Sequence, residues 1–152
     1  MPGRLSAATT AEISIVASAK LTVETPGESL TEITAEAKRF LEQSGAREGV
    51  LLLYLRHTSA SLVIQENADP DVRTDLITSL RRLAPENAGW VHDTEGADDM
   101  PAHIRTMLTG ISLHVPVLNG EPALGTWQGI YLFEHRARPH RREVLLQFIG
   151  SR

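Results

Sequence analysis

The sequence predicts one α+β domain over residues 1–152, with a mixed or antiparallel, sandwich-like sheet, two main helices and one short helix. Short apolar or alternating segments of the kind that form strands recur along the chain. Two longer segments carry apolar residues at helical spacing. The predicted order β-β-α-β-β-α-α-β-β-β is typical of the α+β class, and 152 residues suffice to bury a core.

The first part of the chain predicts two strands and a helix. Residues 1–8 are expected to be frayed, and alternation predicts short strands at Glu12–Val16 and Lys20–Thr25. Ser29 and Glu32 match a capping box, which predicts a helix start, and Gly45 suits its left-handed end. The apolar residues at helical spacing are Leu30, Ile33, Ala37, Phe40 and Leu41.

The middle of the chain predicts a buried strand followed by a second helix. The continuous apolar run Gly49–Arg56 predicts a central strand covered on both faces, and Ser61–Gln65 a further strand. Asp69 and Pro70 predict the start of a helix, because aspartate caps the first turn and proline fixes the first helical φ. Val72, Leu76, Leu80 and Leu83 give this helix its apolar stripe, which ends at Ala84-Pro85.

A polar loop separates this helix from the remaining elements. Glu86–Met100 shows no periodicity, and a loop of that length in a small domain is usually functional or disordered. Met100-Pro101 predicts a short helix that ends at Gly110, with Ile104, Met107 and Leu108 facing inward. The last predicted elements are strands at Ile111–Leu118, Gly129–Glu134 and Glu143–Ile149, with a turn at Asn119-Gly120.

Composition limits the classes of function. The net charge of −4 argues against general binding to nucleic-acid backbones. Without cysteine, a metal must bind to His, Asp, Glu or Asn. No run is long enough to span a membrane and the N-terminus lacks the apolar centre of a signal peptide, so a cytoplasmic protein is expected.

Charge is unevenly distributed along the chain. Between Ala84 and Ile104 there are five acids, two histidines and no lysine or arginine, whereas the C-terminal tail is rich in arginine. These segments are interpreted either as two halves of a site for a metal and a phosphorylated ligand, or as solvated or subunit-contacting faces. In the first case Arg136, Arg141 or Arg142 would bind the phosphate, and His135 and His140 lie close enough in sequence to contact an anion.

Two histidine-containing segments are candidates for the chemistry. His57 ends the buried strand and is predicted to be a general acid/base or a metal ligand, or alternatively to hold the turn by hydrogen bonds to nearby serines. His92 and His103, with Glu95 between them, are candidate metal ligands, although their spacing matches no known zinc motif. His103 is expected in the first turn of its helix, where the dipole favours a neutral ring.

Other polar residues are candidate ligand contacts. Glu66 and Asn67 precede the helix cap and are better functional candidates than Asp69, which is explained by capping. Thr126 and Gln128 lie between two glycines that permit close approach of a ligand, although a tight turn is the simpler interpretation. His114 falls in a predicted strand and is most simply a packing or surface residue.

Three segments together resemble the YjbQ-like family, also called the secondary thiamine-phosphate synthase family. They are HTSAS…ENADPDVRTDL, HDTEGADDMPAHI and PVLNG…LGTWQGIYLFEHR, in the family's order. The resemblance implies a compact α+β domain that assembles as a homotrimer, with a low thiamine-phosphate synthase activity on small phosphorylated metabolites and an uncertain physiological reaction. By position it carries over the polar residues His57, Ser59, Glu66, Asn67, Asp69, His92, Glu95, His103, Thr126 and Gln128.

These observations lead to one main hypothesis and two alternatives. The main hypothesis is an enzyme that uses a divalent ion, Mg²⁺ or Zn²⁺, to neutralise pyrophosphate. In it His57, His103 and Glu66 are catalytic, and the ion is bound by His57, His92, Glu95 and His103. The substrate contacts are Ser59, Asn67, Thr126, Gln128, Arg136 and Arg141. The alternatives are a non-enzymatic module that binds a metal or an anion, and a metal-dependent hydrolase.

Overall fold

The computed structural model describes residues 2–152, which contain eight strands and three helices. In chain order these are β1 (Ile15–Thr25), β2 (Ser29–Glu32), α1 (Thr34–Ser44), β3 (Gly49–Leu55), β4 (Ala60–Glu66), α2 (Pro70–Leu83), α3 (Asp99–Thr109), β5 (Ser112–Leu118), β6 (Glu121–Pro122), β7 (Gln128–Glu134) and β8 (His140–Gly150). Not one of the helices in this range is both long and apolar enough to cross a membrane.

The strands form two antiparallel sheets. The larger sheet has the order β1-β8-β3-β5-β6, and the smaller has the order β2-β7-β4. Each pair of neighbouring strands runs antiparallel. This architecture confirms the predicted α+β class, and its sheets are antiparallel rather than mixed.

The core lies between the two sheets and includes α1. Apolar side chains from β3, β5 and β8 meet those of β4 and β7, and α1 adds its buried face. In β7, Ile130 and Leu132 face the core, and the residues between them face the opposite side of the sheet. There Tyr131 contacts Arg73 of α2 and is almost completely buried. As a result β7 is covered on both faces, and its carboxyl end is held rigidly where the candidate site lies.

Within a single chain, only one face of the central strand β3 is covered. Leu51, Leu53 and Leu55 are buried in the core, but Tyr54 is 49% exposed and Leu52 is only partly buried. Together with neighbours on β1, β5 and β8 they line an open groove of about 550 Å³ on the outer face of the larger sheet. The prediction of a strand covered on both faces is therefore wrong for the isolated chain.

Two predictions near the N-terminus are also wrong. The first two predicted strands are one continuous strand, β1, which pairs along its full length with β8. The segment Ser29–Glu32 is strand β2 and not a helix cap, because it pairs with β7, and Leu30 lies opposite Phe133. Helix α1 begins later, at Thr34, and Gly45 ends it in the predicted left-handed conformation, with φ of 67°.

Helix α2 begins as predicted, whereas α3 differs from the prediction in its buried face. The carboxylate of Asp69 accepts a hydrogen bond from the Asp71 amide, and Pro70 opens α2. In α3 the buried residues are mainly polar or small, and Met107 and Leu108, which were expected to face inward, are 77% and 55% exposed.

Residues 86–98, called here the acidic loop, connect α2 to α3 without a helix or strand, as predicted. The predicted turn at Asn119-Gly120 joins β5 to the two-residue strand β6, and both turn residues have positive φ, 53° and 82°. The strands predicted at β4, β5, β7 and β8 are all present, and β8 is four residues longer than predicted, extending from His140 to Gly150.

Candidate functional site

The site is centred on a His–Asp–His cluster, formed by His92, Asp99 and His103. His92 lies in the acidic loop, while Asp99 and His103 are one turn apart on α3. The Nε2 atoms of His92 and His103 lie 2.6 Å and 3.1 Å from Oδ2 of Asp99. One potential ligand atom from each of the three residues lies within 4.8 Å of the others. The carboxylate is 1% exposed, whereas both histidines reach the surface.

The backbone of Thr58 fixes which nitrogen of His103 faces the cluster. Nδ1 of His103 lies 2.7 Å from the Thr58 carbonyl oxygen, and because a carbonyl only accepts, Nδ1 must donate. In a neutral ring Nε2 then carries a lone pair that faces the Asp99 carboxylate. Two acceptors at this distance need a proton or a cation between them, so this arrangement suits an imidazolium or a metal ion.

Arg136 binds the side of Asp99 that faces away from the histidines. Its Nη1 donates to Oδ1 of Asp99 at 2.7 Å, its Nε donates to Oδ2 of Asp98 at 2.9 Å, and its Nη2 donates to the Glu95 carbonyl at 2.9 Å. Burial raises the pKa of Asp99, but the histidines and Arg136 outweigh burial, so the pKa is lowered overall. Asp99 is therefore ionised in the neutral range.

A second buried network lies beside the cluster, around Arg142 and Glu134. Nε of Arg142 donates to the fully buried Glu134 carboxylate at 2.7 Å, and Nη2 donates to Oγ of Ser59 at 2.9 Å. Nε2 of His57 accepts the Glu143 amide hydrogen at 2.8 Å. Burial lowers the pKa of His57, and the charge of Arg142 adds to this, so its ring is neutral. Ser59 therefore binds Arg142 within the chain.

Two pockets open next to the cluster. One, of about 360 Å³, is lined by His57, Thr58 and His103 and by residues at the end of α3. The other, of about 460 Å³, is lined by His92, Trp90, Met100 and neighbouring loop residues. His57 and His103 line the same pocket. A small molecule bound there would therefore contact two of the histidines that the sequence predicted.

Four of the predicted site residues lie at the opposite end of the β4–β7 pair. Glu66 pairs with Gln128 at one end, and Ala60 pairs with Glu134 at the other. Strand geometry separates these ends by about 20 Å. At the distant end, Glu66 accepts the amides of Ala68 and Asp69, both at 3.0 Å, and Oε1 of Gln128 accepts the Gly125 amide at 2.8 Å. Asn67 and Thr126 lie in the same region, so none of the four reaches the cluster.

The remaining predicted residues are placed as follows. The side chain of Glu95 is exposed, and only its backbone carbonyl contacts the site. Arg141 is exposed on β8, with its Nε 3.3 Å from Glu24. His103 lies one turn into α3 rather than in its first turn, because the helix begins at Asp99.

Asp99 was considered only as one of the acids between His92 and His103 that could bind the ion, and it was not chosen as a site residue. The spacing of Asp99 and His103, four residues apart, was the available signal, since residues i and i+4 lie on one face of a helix. The prediction that the helix starts at Met100 hid this relation, because it left Asp99 in the loop.

Comparison with known proteins identifies the family. Residues 19–151 match the sequence model of the family described as "UPF0047 protein YjbQ-like". The chain is 50% identical over 132 residues to the UPF0047 protein sll1880 of Synechocystis, covering 86% of this chain and 90% of that one. It is 39% identical to the UPF0047 protein MJ1081 of Methanocaldococcus jannaschii, covering 82% and 88% of the two chains.

Solved structures show the same fold. A YjbQ/UPF0047 protein of Clostridium acetobutylicum, 34% identical, superposes with a TM-score of 0.81 over 86% of this chain and 99% of that one. A hypothetical protein of Aeropyrum pernix, 28% identical, gives a TM-score of 0.82 over 89% and 99%. The chain therefore belongs to the YjbQ-like family, UPF0047.

Proposed function

We propose that this protein is a metal-dependent enzyme that acts on a small phosphorylated metabolite, with its ion bound by His92, Asp99 and His103. The observation that carries the proposal is the convergence of their ligand atoms within 4.8 Å, with Nε2 of His103 directed at Asp99 by the Thr58 carbonyl. A metal-binding histidine usually donates its second ring nitrogen to a backbone carbonyl or carboxylate in this way.

The ligand set favours zinc over magnesium. Mg²⁺ prefers six oxygen ligands, whereas two imidazoles and one carboxylate are a common set for catalytic zinc. Three protein ligands would leave a position for water or substrate.

The bound ion would polarise a phosphoryl oxygen and lower the pKa of a coordinated water. The chain's own groups would bind and orient the substrate. The pocket of about 360 Å³ next to His103 has room for a small metabolite. His57 lines this pocket with its Nε2 bound to the Glu143 amide, so Nδ1, 3.4 Å from Nη1 of Arg142, is the nitrogen that would exchange a proton with the substrate.

We favour hydrolysis over the transferase reaction that the family resemblance implies. Thiamine-phosphate synthesis handles a pyrophosphate, which needs cationic groups in addition to the ion. The arginines proposed for that role bind carboxylates of the chain. Arg136 pairs with Asp98 and Asp99, Arg141 pairs with Glu24, and Arg142 pairs with the buried Glu134. The transferase reaction and a purely metal-binding role are the alternatives, and the activity measurements described below distinguish them.

The first prediction is that Asp99→Asn abolishes high-affinity zinc binding. The substitution removes the charge and leaves an amide, which is a weaker zinc ligand, at the same position. Zinc titration of chelator-treated protein by calorimetry measures the effect, and Asp93→Asn, an exposed acid in the same loop, is the matched control. Wild-type protein and Asp93→Asn should bind one ion per chain.

Activity is then measured on the zinc-loaded protein with a panel of phosphomonoesters and with the two precursors of thiamine phosphate. Release of inorganic phosphate that is lost in Asp99→Asn supports the hydrolase, and product formed only from the two precursors supports the transferase. Zinc binding without turnover of either substrate class supports the binding module. If the wild-type protein binds no divalent ion, the proposal is wrong and the cluster is a structural His–Asp network.

We also propose that the chain assembles as a homotrimer through the outer face of the larger sheet. The support is the groove on this face, which places apolar side chains of β3 and β8, such as Leu52 and Leu145, in contact with solvent. An exposed apolar patch on a folded protein often marks a surface that binds another protein. A second copy of the same chain would cover this face, and its test is given in the Discussion.

A further inference from the structure

We propose that Arg136 is a positioning residue of the candidate ion site. It holds the Asp99 carboxylate so that Oδ2 faces the two histidines, and it ties the acidic loop to the end of β7. The expected effect on ion binding rests on the proposed function. The attachment of the acidic loop by Arg136 does not depend on that function.

The contacts of Arg136 divide between the ion ligand and the loop. Nη1 binds Oδ1 of Asp99 at 2.7 Å, which leaves Oδ2 as the oxygen within 2.6 Å and 3.1 Å of the histidine nitrogens. Nε binds Asp98 at 2.9 Å, and Nη2 binds the Glu95 carbonyl at 2.9 Å. One guanidinium therefore fixes the carboxylate of the ion site together with two points on the loop that carries His92.

The position of Arg136 in the chain makes it an effective anchor. Arg136 follows β7 by two residues, and β7 is buried on both faces. Its backbone amide also donates to the buried Glu134 carboxylate at 3.1 Å, and the next amide, of Ala137, donates to Asp98 at 2.9 Å. The loop is thereby attached to the end of β7, the central strand of the smaller sheet.

The shape of the arginine side chain matters here as much as its charge. The guanidinium offers donors in a fixed plane that reach Asp98, Asp99 and Glu95 together, whereas a lysine ammonium is a single compact charge. A positive charge by itself should weaken the binding of a cation. A simple charge effect therefore predicts tighter zinc binding in Arg136→Gln and unchanged binding in Arg136→Lys, whereas the positioning role predicts weaker binding in both variants.

The experiment compares Arg136→Lys, Arg136→Gln and Asp98→Asn with the matched control Arg141→Gln, an exposed arginine of the same tail. Positioning predicts that both Arg136 variants weaken zinc binding by about 10–100-fold, as loss of a residue that orients a metal ligand usually does. Asp98→Asn should weaken it in the same direction, and Arg141→Gln should leave it unchanged. Circular dichroism and thermal unfolding verify that each variant is folded.

Hydrogen exchange of the metal-free proteins supplies a second readout that does not depend on zinc. Residues 86–98 should exchange faster in both Arg136 variants than in wild type, with β7 unchanged. If Arg136→Gln binds zinc as tightly as wild type or more tightly, and its loop exchanges at the wild-type rate, the inference is wrong. If wild type binds no zinc but the loop is released, the proposed function fails and the positioning of the loop stands.

Discussion

His135 is a completely buried histidine directly after β7. Its Nε2 lies 2.8 Å from Oγ of Ser61, and its Nδ1 has no hydrogen-bond partner within residues 2–152. Burial lowers the pKa of His135 to about 3, and the nearby charge of Arg105 contributes. A folded chain therefore keeps this ring neutral under conditions in which an exposed histidine is protonated.

This pKa predicts that the protein loses stability as the pH falls below 6.5. Between about pH 6.5 and 3 the unfolded chain binds a proton at this position that the folded chain does not, so acid favours unfolding. Above pH 6.5 neither state is protonated there, and the effect vanishes. The full slope is about 1.4 kcal/mol per pH unit. Urea denaturation at pH 7, 5.5 and 4.5 measures it.

The comparison with His135→Gln isolates this histidine, since His57 also has a lowered pKa and contributes in the same direction. His135→Gln should show a smaller loss of stability between pH 7 and 4.5 than the wild-type protein. Equal slopes in wild type and His135→Gln would show that His135 is protonated in the folded protein.

Part of the candidate site was predictable from single residues. His92 and His103 were candidate metal ligands, with a solvated acidic loop as the alternative interpretation. The large distance from these histidines to Glu66 and Gln128 could not be predicted, because it depends on which strands pair and in which register. The expected role of Arg136 toward a phosphate was assigned from its charge, whereas the structure shows it bound to Asp98 and Asp99.

At the scale of elements, the start of α2 depends on its cap. Oδ1 of Asp69 accepts the Asp71 amide at 2.9 Å, so Asp69→Ala should lower the free energy of unfolding by about 1 kcal/mol. Urea denaturation at neutral pH measures this effect. Asp75→Ala, an exposed position inside the same helix, is the control and should change stability by less than about 0.5 kcal/mol. An equal loss in both variants would contradict a capping role.

Two segments of the chain match a helix-capping pattern, but only one of them begins a helix. Asp69-Pro70 begins a helix, and the neighbouring Glu66 stabilises the turn before it. Ser29 and Glu32 match the capping pattern equally well, but their segment pairs with β7, and the Ser29 hydroxyl donates to the Gly27 carbonyl instead. Strand pairing across the chain outweighs a local preference of about 1 kcal/mol.

At the scale of the whole molecule, the proposed assembly gives the fifth prediction. Leu52→Glu, in the middle of the outer face of the larger sheet, should convert the trimer to monomers because it places a charge in the proposed interface. Sedimentation velocity or light scattering measures the mass. Leu83→Glu is the control, since Leu83 is 65% exposed at the end of α2 and away from this face. A monomeric wild-type protein would overturn the proposal.

The fold class was predictable, but the order of the strands was not. Apolar patterns located most of the strands, but β2 was predicted as a helix cap and β6 was not predicted. The most extensive pairing joins β1 to β8, so that Val16 lies opposite Ile149 near the two ends of the chain. No local pattern encodes such a pairing, because it depends on the packing of the complete core.

The polar inner face of α3 has a consequence for how this helix is held in place. Its buried residues include Asp99, Arg105 and Thr106, and its larger apolar side chains point outward. Apolar contacts weaken gradually when a surface shifts, but hydrogen bonds lose most of their strength once their geometry is lost. We therefore expect helix α3 to be released as a unit when its ion pairs break, rather than to shift by small steps.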